Sequence, residues 1–220
     1  MDIAGLEMNI TEIGTGGPVF ILLQGAHDDG GTGARMKEEN AGPCVLAVHC
    51  VDDWDAELSP WEAVVDGREF AGEGPELLVK VCDAASELRA MYPGRPVYIA
   101  GYSLAGLFAL WALYEDSASD IKHFDGAVSC SGSLWFPGWE EYVKKAAAPD
   151  GSAVYLSLGG KEANSKSTVM ATVLDMYRLT DRCLKADSGV TRRTFEMNPG
   201  GHFADPEGRV IKGIRWICAR

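Results

Sequence analysis

Basic residues are scarce in this 220-residue chain: 20 Lys and Arg stand against 32 Asp and Glu, a formal charge of −12. A chain of that sign repels polyanions, and no basic stripe offsets it locally, which argues against nucleic acid and anionic membrane as partners. Long apolar runs are missing as well, since no window approaches the ~18 residues that cross a bilayer. The opening MDIAGLEMNI lacks the basic start and apolar core of a signal peptide, so the expected address is the cytoplasm. No Cys-x-x-Cys pair occurs, which removes zinc knuckles and thioredoxin-type motifs. The six cysteines fall mostly inside apolar periodic segments and read as buried thiols of a reducing compartment rather than as three bridges. Repeats, low-complexity tracts and linkers are absent too, so residues 1–220 are expected to form one domain.

What the chain does have is short, uninterrupted apolar runs rich in Val and Ile. They occur at PVFILLQG (18–25), CVLAVHCV (44–51), PVYIAG (96–101), FDGAVSCSG (124–132) and AVYLSLGG (153–160). Continuous rather than alternating runs predict strands covered on both faces of a parallel sheet. TRRTFEMNPG (191–200) alternates and reads as an edge strand. Between the runs lie helical patterns. PELLVKVCDAASELRAMY (75–92) opens on Pro75 and stripes Leu77, Val81, Leu88 and Met91; STVMATVLDMYRLTDRCLK (167–185) and DPEGRVIKGIRWIC (205–218) follow the same period. Strand alternating with helix predicts a doubly wound α/β fold with its site at the carboxyl ends of the strands.

One strand-to-helix junction carries the chemistry. In YIAGYSLAGLFALWALYE (98–115), Ser103 is flanked by Gly101, Ala105 and Gly106, the small residues that a sharp nucleophile turn requires because strand and helix backbones nearly touch there. Ala105 stands where the usual G-x-S-x-G pattern has glycine. A phosphate-binding loop is the rival reading, but GYSLAGLF lacks the Lys-Ser/Thr of a Walker loop and the Gly-x-Gly of a dinucleotide fingerprint. A structural serine in a packing turn is the plainer rival.

A base and an acid in the order Ser, acid, His tip the balance towards a nucleophile. His202 lies in NPGGHFADPEG, between the last strand pattern and the last helix, where it would take the Ser103 proton. Glu162 directly follows the strand AVYLSLGG and is the expected acid, with Asp205 and Asp175 as alternatives. Two donors for an oxyanion are expected at the backbone N–H groups of Leu104 and Ala26. His27, Asp28 and Asp29 lie side by side and point different ways, so no metal is expected, and no cofactor. His49 and His123 read as structural. Trp54, Trp61, Trp135, Phe136 and Trp139 cluster in loops after strands, as packing or as a substrate wall, with Trp54 and Trp135 taken as substrate-binding.

GYSLAGLFALW, CSGSLWFPGW, WDAELSPW (54–61) and NPGGHF together resemble the esterase branch of the α/β-hydrolases that includes esterase D and the siderophore esterases. The resemblance spans roughly residues 18–218 and looks closest to short bacterial members of the branch. It implies an α/β-hydrolase fold of mostly parallel strands with helices on both faces and no separate lid domain. By position it implies Ser103 as nucleophile, His202 as base and Glu162 as acid of a serine esterase. Siderophore esterases tend to place an Arg just before the Glu-Leu-Ser-Pro type block; Trp54 and few basic residues here argue against a polyanionic iron chelate. The expected substrate is a small or medium carboxylic ester or thioester. An acyltransferase using the same acyl-enzyme, and a non-catalytic binding module of the same fold, stay open; a Ser103–His202 distance within hydrogen-bond range separates the last from the others.

Overall fold

The computed structural model describes residues 1–25 and 31–219. Ten strands and seven α-helices alternate along them: β1 Asp2–Ile3, β2 Leu6–Ile13, β3 Val19–Gly25, α1 Gly31–Glu38, β4 Cys44–Val51, α2 Trp54–Glu57, β5 Ala63–Val65, β6 Arg68–Phe70, α3 Gly74–Met91, β7 Val97–Tyr102, α4 Leu104–Glu115, β8 Gly126–Cys130, α5 Trp139–Val143, β9 Ser152–Gly159, α6 Val173–Ala186, β10 Val190–Asn198 and α7 Pro206–Cys218. Eight strands form one sheet in the order β1-β2-β4-β3-β7-β8-β9-β10, and β5 and β6 form a separate hairpin. From β4 to β10 the pairings are all parallel; β2 joins β4, and β1 joins β2, antiparallel.

The uninterrupted runs have the predicted cause. Along β3, Val19, Ile21 and Leu23 enter one apolar core while Phe20 and Leu22 enter the other; along β7, Val97 and Ile99 part in the same way from Tyr98 and Ala100. Both faces are therefore covered, and Val19–Leu23 and Val97–Ala100 are apolar without interruption. The larger core holds the buried faces of α3, α4 and α6, and the smaller one those of α1 and α7. α4 has no polar face: Leu104 through Tyr114 are all buried, which places the helix after Ser103 at the centre of the molecule. β10 takes the predicted edge position. Cys44 and Cys130 are buried thiols.

Two elements went unread in the sequence. LEMNITEI forms β2, with Leu6 and Met8 buried and Glu7 and Asn9 exposed, the alternation of an antiparallel strand near a sheet edge. Val65-Asp66-Gly67-Arg68 forms the turn of the β5–β6 hairpin, with φ of 51° at Asp66 and 80° at Gly67. Two consecutive left-handed residues are what a two-residue type I′ turn needs, and Asp-Gly is a favoured pair for it.

No helix among the described residues is long and apolar enough to cross a membrane.

Candidate active site

The carboxyl ends of neighbouring parallel strands converge on one cleft. β7 ends at Tyr102 and delivers Ser103; β8 ends at Cys130 and delivers Ser131; β9 ends at Gly159, ahead of Glu162; β10 ends at Asn198, ahead of His202. The sheet thus brings together four segments that lie far apart in sequence.

Ser103 occupies a strained backbone position, φ 57° and ψ −124°, at the junction of β7 and α4. A non-glycine residue held there costs on the order of 1–3 kcal/mol, so the surroundings must enforce it. They do so by close approach. A Cβ on Gly101 would lie 2.3 Å from the Ala105 carbonyl oxygen, and one on Gly106 would lie 3.0 Å from Gly132 Cα. Ala105 is itself fully buried, so its methyl fits the turn because Gly101 has no side chain opposite it. The Ser133 N–H donates to the Ser103 carbonyl at 3.0 Å and ties the turn to the loop after β8.

The Ser103 hydroxyl Oγ lies 3.0 Å from His202 Nε2, and His202 Nδ1 lies 2.8 Å from Glu162 Oε2. A carboxylate can only accept, so Nδ1 carries the proton and donates it to Glu162, leaving Nε2 free to accept from the serine. Glu162 has a side chain 5 % exposed, and its other oxygen, Oε1, accepts from Ser131 Oγ at 2.7 Å, Gly159 N at 2.6 Å and Arg209 Nη1 at 3.0 Å. Burial pushes the Glu162 carboxyl up, but the hydrogen bonds from His202, Ser131 and Gly159 outweigh it and hold the group below its ordinary value. The acid is therefore ionised wherever the imidazole needs an anionic partner. Tyr102 donates its phenol hydrogen to the His202 carbonyl and fixes the loop that carries the imidazole.

The alternative acids are engaged elsewhere. Asp205 caps α7, accepting from Gly208 N at 3.1 Å, and pairs with Arg35 Nη1 at 2.6 Å. Asp175 is 75 % exposed and 3.7 Å from Arg178. Leu104 opens α4, so its N–H is one of the helix amides without an intrahelical acceptor. Ala26 and the His27-Asp28-Asp29 run lie outside the described residues. His49 bonds the Glu7 carbonyl at 3.0 Å, and His123 bonds the buried Asp116 at 2.6 Å.

A cleft of about 490 Å³ opens over Ser103 and His202. Trp54 and Trp135 line it, joined by Met170, Val173 and the 89 % exposed Phe203. The other loop aromatics are packing: Trp139 and Phe136 are buried, and Trp61 donates Nε1–H to the Pro137 carbonyl at 2.7 Å. Arg68, set beside the cleft by the β5–β6 hairpin, brings a cation, which is paired with Asp55.

Arg209, Tyr102 and Ser131 are the polar groups around Glu162 and His202 that sequence reasoning passed over, as it did Met170 and Val173 in the cleft wall. The signal for Arg209 was present, because it interrupts the buried stripe of α7 formed with Val210, Ile211 and Ile214. Only a partnered charge belongs on such a stripe.

No protein-family model matches the chain, and no curated protein does. Solved structures do match. An IroE-like serine hydrolase from Shewanella oneidensis superposes with a TM-score of 0.74 at 16 % identity, over 96 % of this chain and 80 % of that one. The siderophore hydrolase EstA from Aspergillus nidulans gives 0.67 at 15 % identity, over 98 % and 95 %. A Bacillus cereus carboxylesterase gives 0.60 at 14 %, over 96 % and 93 %. At such identities the likeness is one of fold. Together with the sheet order and the serine turn after β7, it establishes that this chain has the α/β-hydrolase fold.

Proposed function

We propose that the protein is a serine esterase that cleaves a small or medium carboxylic ester through an acyl-Ser103 intermediate. The observation that carries this reading is the 3.0 Å contact between Ser103 Oγ and His202 Nε2, backed by Glu162 on Nδ1 at 2.8 Å. A binding module has no need of a strained serine aligned on a histidine whose tautomer is set by a buried carboxylate. That the structural neighbours include a serine hydrolase, a siderophore hydrolase and a carboxylesterase supports the same reading.

In this mechanism His202 Nε2 takes the Ser103 proton as Oγ attacks the ester carbonyl carbon. The carbonyl π electrons move onto oxygen, and the N–H group of Leu104 receives the oxyanion. Collapse of the tetrahedral intermediate expels the alcohol, which takes the proton back from the imidazolium. Water then enters, gives its proton to His202 and attacks the acyl carbon; collapse of this second tetrahedral intermediate releases the acid as the imidazolium returns that proton to Ser103 Oγ. Glu162 keeps its negative charge throughout and stabilises the imidazolium that forms twice per cycle.

The cleft supports a restricted substrate class. Its volume of about 490 Å³ suits a small or medium ligand. Trp54, Trp135, Met170, Val173 and Phe203 favour an apolar or aromatic acyl or alcohol group, and Arg68, occupied by Asp55, leaves little for a polyanion. The test is a panel of p-nitrophenyl esters graded from acetate upward, with aromatic acyl esters added. Turnover that rises with apolar contact and falls once the chain outgrows the cleft is expected, as is a raised KM for the longer esters in W135A. If no ester on the panel is hydrolysed, the proposal fails.

A further inference from the structure

The geometry points to Arg209 as a positioning residue that acts through Glu162: its guanidinium orients the acid and ties the histidine loop to it. This inference rests on the esterase reading above and adds a fourth member to its machinery.

Arg209 has a side chain only 3 % exposed, and it sits on α7, none of whose residues lines the cleft, so it reaches the site from behind Glu162. Five acceptors surround it. Nη1 lies 3.0 Å from Glu162 Oε1, 2.7 Å from Ser131 Oγ and 3.1 Å from the Tyr102 hydroxyl. Nη2 lies 3.0 Å from the Pro199 carbonyl and 2.8 Å from the Gly201 carbonyl. Pro199 and Gly201 belong to the loop that ends in His202, so one rigid fork holds both the acid and the base loop. A planar guanidinium suits several acceptors at fixed angles, whereas a lysine offers one point charge. Ser131 adds a bridge: held at φ 46°, it donates to Glu162 while accepting from Arg209.

The experiment compares kcat and KM of R209K and R209Q with wild type, on an ester that wild type hydrolyses, after near-UV circular dichroism has shown native packing. R209K keeps the charge but not the fork, and R209Q keeps neither the charge nor the full fork; in both, kcat should fall on the order of tenfold at unchanged KM. A role confined to packing would lower the Tm and leave the kcat of the folded variants within about twofold of wild type, and that result overturns the inference. If neither variant folds, S131A substitutes for them: a kcat roughly tenfold lower at unchanged KM is expected from loss of the bridge, and a wild-type kcat overturns the inference. Absence of any ester turnover in wild type would overturn the esterase reading and this one with it, whereas an active wild type whose folded variants keep its kcat overturns this one alone.

Discussion

Replacing Glu162 by Gln changes one atom, and the structure dictates how the new side chain must sit. Oε1 faces three donors, Gly159 N–H, Ser131 Oγ–H and the Arg209 guanidinium, whereas Oε2 faces only His202 Nδ1. The amide NH2 cannot face the three donors, so the amide oxygen stays with them and the NH2 turns towards His202. Nδ1 must then accept, which moves the imidazole proton to Nε2 and aims an N–H at Ser103, where a lone pair is needed. Loss of the correct tautomer at an intact site lowers kcat about 10⁴-fold, equivalent to roughly 5.5 kcal/mol of barrier. Folding suffers less. The buried donors keep an acceptor and Arg209 loses only its charged partner, a cost of about 1–3 kcal/mol, or roughly 2–12 °C in Tm for a chain of this length. Steady-state hydrolysis of a p-nitrophenyl ester gives the rate, and thermal unfolding gives the second quantity. A folded E162Q protein within threefold of the wild-type kcat would refute the reasoning, because no arrangement of the amide serves the three donors and still gives a proton on Nδ1 an acceptor.

Three further outcomes follow from the same geometry. G101A should lose about 3 kcal/mol, hence roughly 6–12 °C in Tm, because its Cβ would meet the Ala105 carbonyl oxygen at 2.3 Å; a thermal scan checks this, and an unchanged Tm would mean that the turn is not tightly packed. D205N, which keeps the cap oxygen but breaks the pair with Arg35, should leave kcat within about twofold of wild type and cost only ~0.5 kcal/mol, since the Asp205 side chain is 61 % exposed; a large kcat loss would return Asp205 to the catalytic acid. The Glu162 carboxyl is held below its ordinary value, so the stability that it contributes is complete above the unfolded value of about 4.3 and is lost as pH falls through the lower folded value. Urea unfolding between pH 3 and 7 should therefore show a shallower acid decline for E162Q than for wild type.

The parallel sheet was legible because its strands have apolar residues on both faces, so VFILLQG and CVLAVHCV stand out from any polar background. LEMNITEI did not, because Glu7 and Asn9 face solvent and break the run, and pairing with β4 supplies what the sequence pattern lacks. The Asp66-Gly67 turn was written in the chain, but strands of three residues carry no periodicity to either side of it. At the site, Ser103, His202 and Glu162 could be put forward because each follows a recognisable strand pattern. Asp205 stayed open as a rival to Glu162 because it sits nearer to His202 in sequence; in the structure Arg35 and the cap of α7 draw it away. The cleft wall was half legible. Trp54 and Trp135 could be put forward from the sequence as cleft residues, whereas only packing decides that Phe136 and Trp139 are buried. Met170 and Val173 escaped because they lie on a pattern that reads as an ordinary helix stripe.

The central claim is that Ser103 is a nucleophile activated by His202. Incubation with a fluorophosphonate followed by intact mass measurement tests it most directly: wild type should gain one phosphonyl group, and S103A should gain none and lose ester turnover by a factor on the order of 10⁴ or more. Equal labelling of the two proteins, or no labelling of either, would contradict the account.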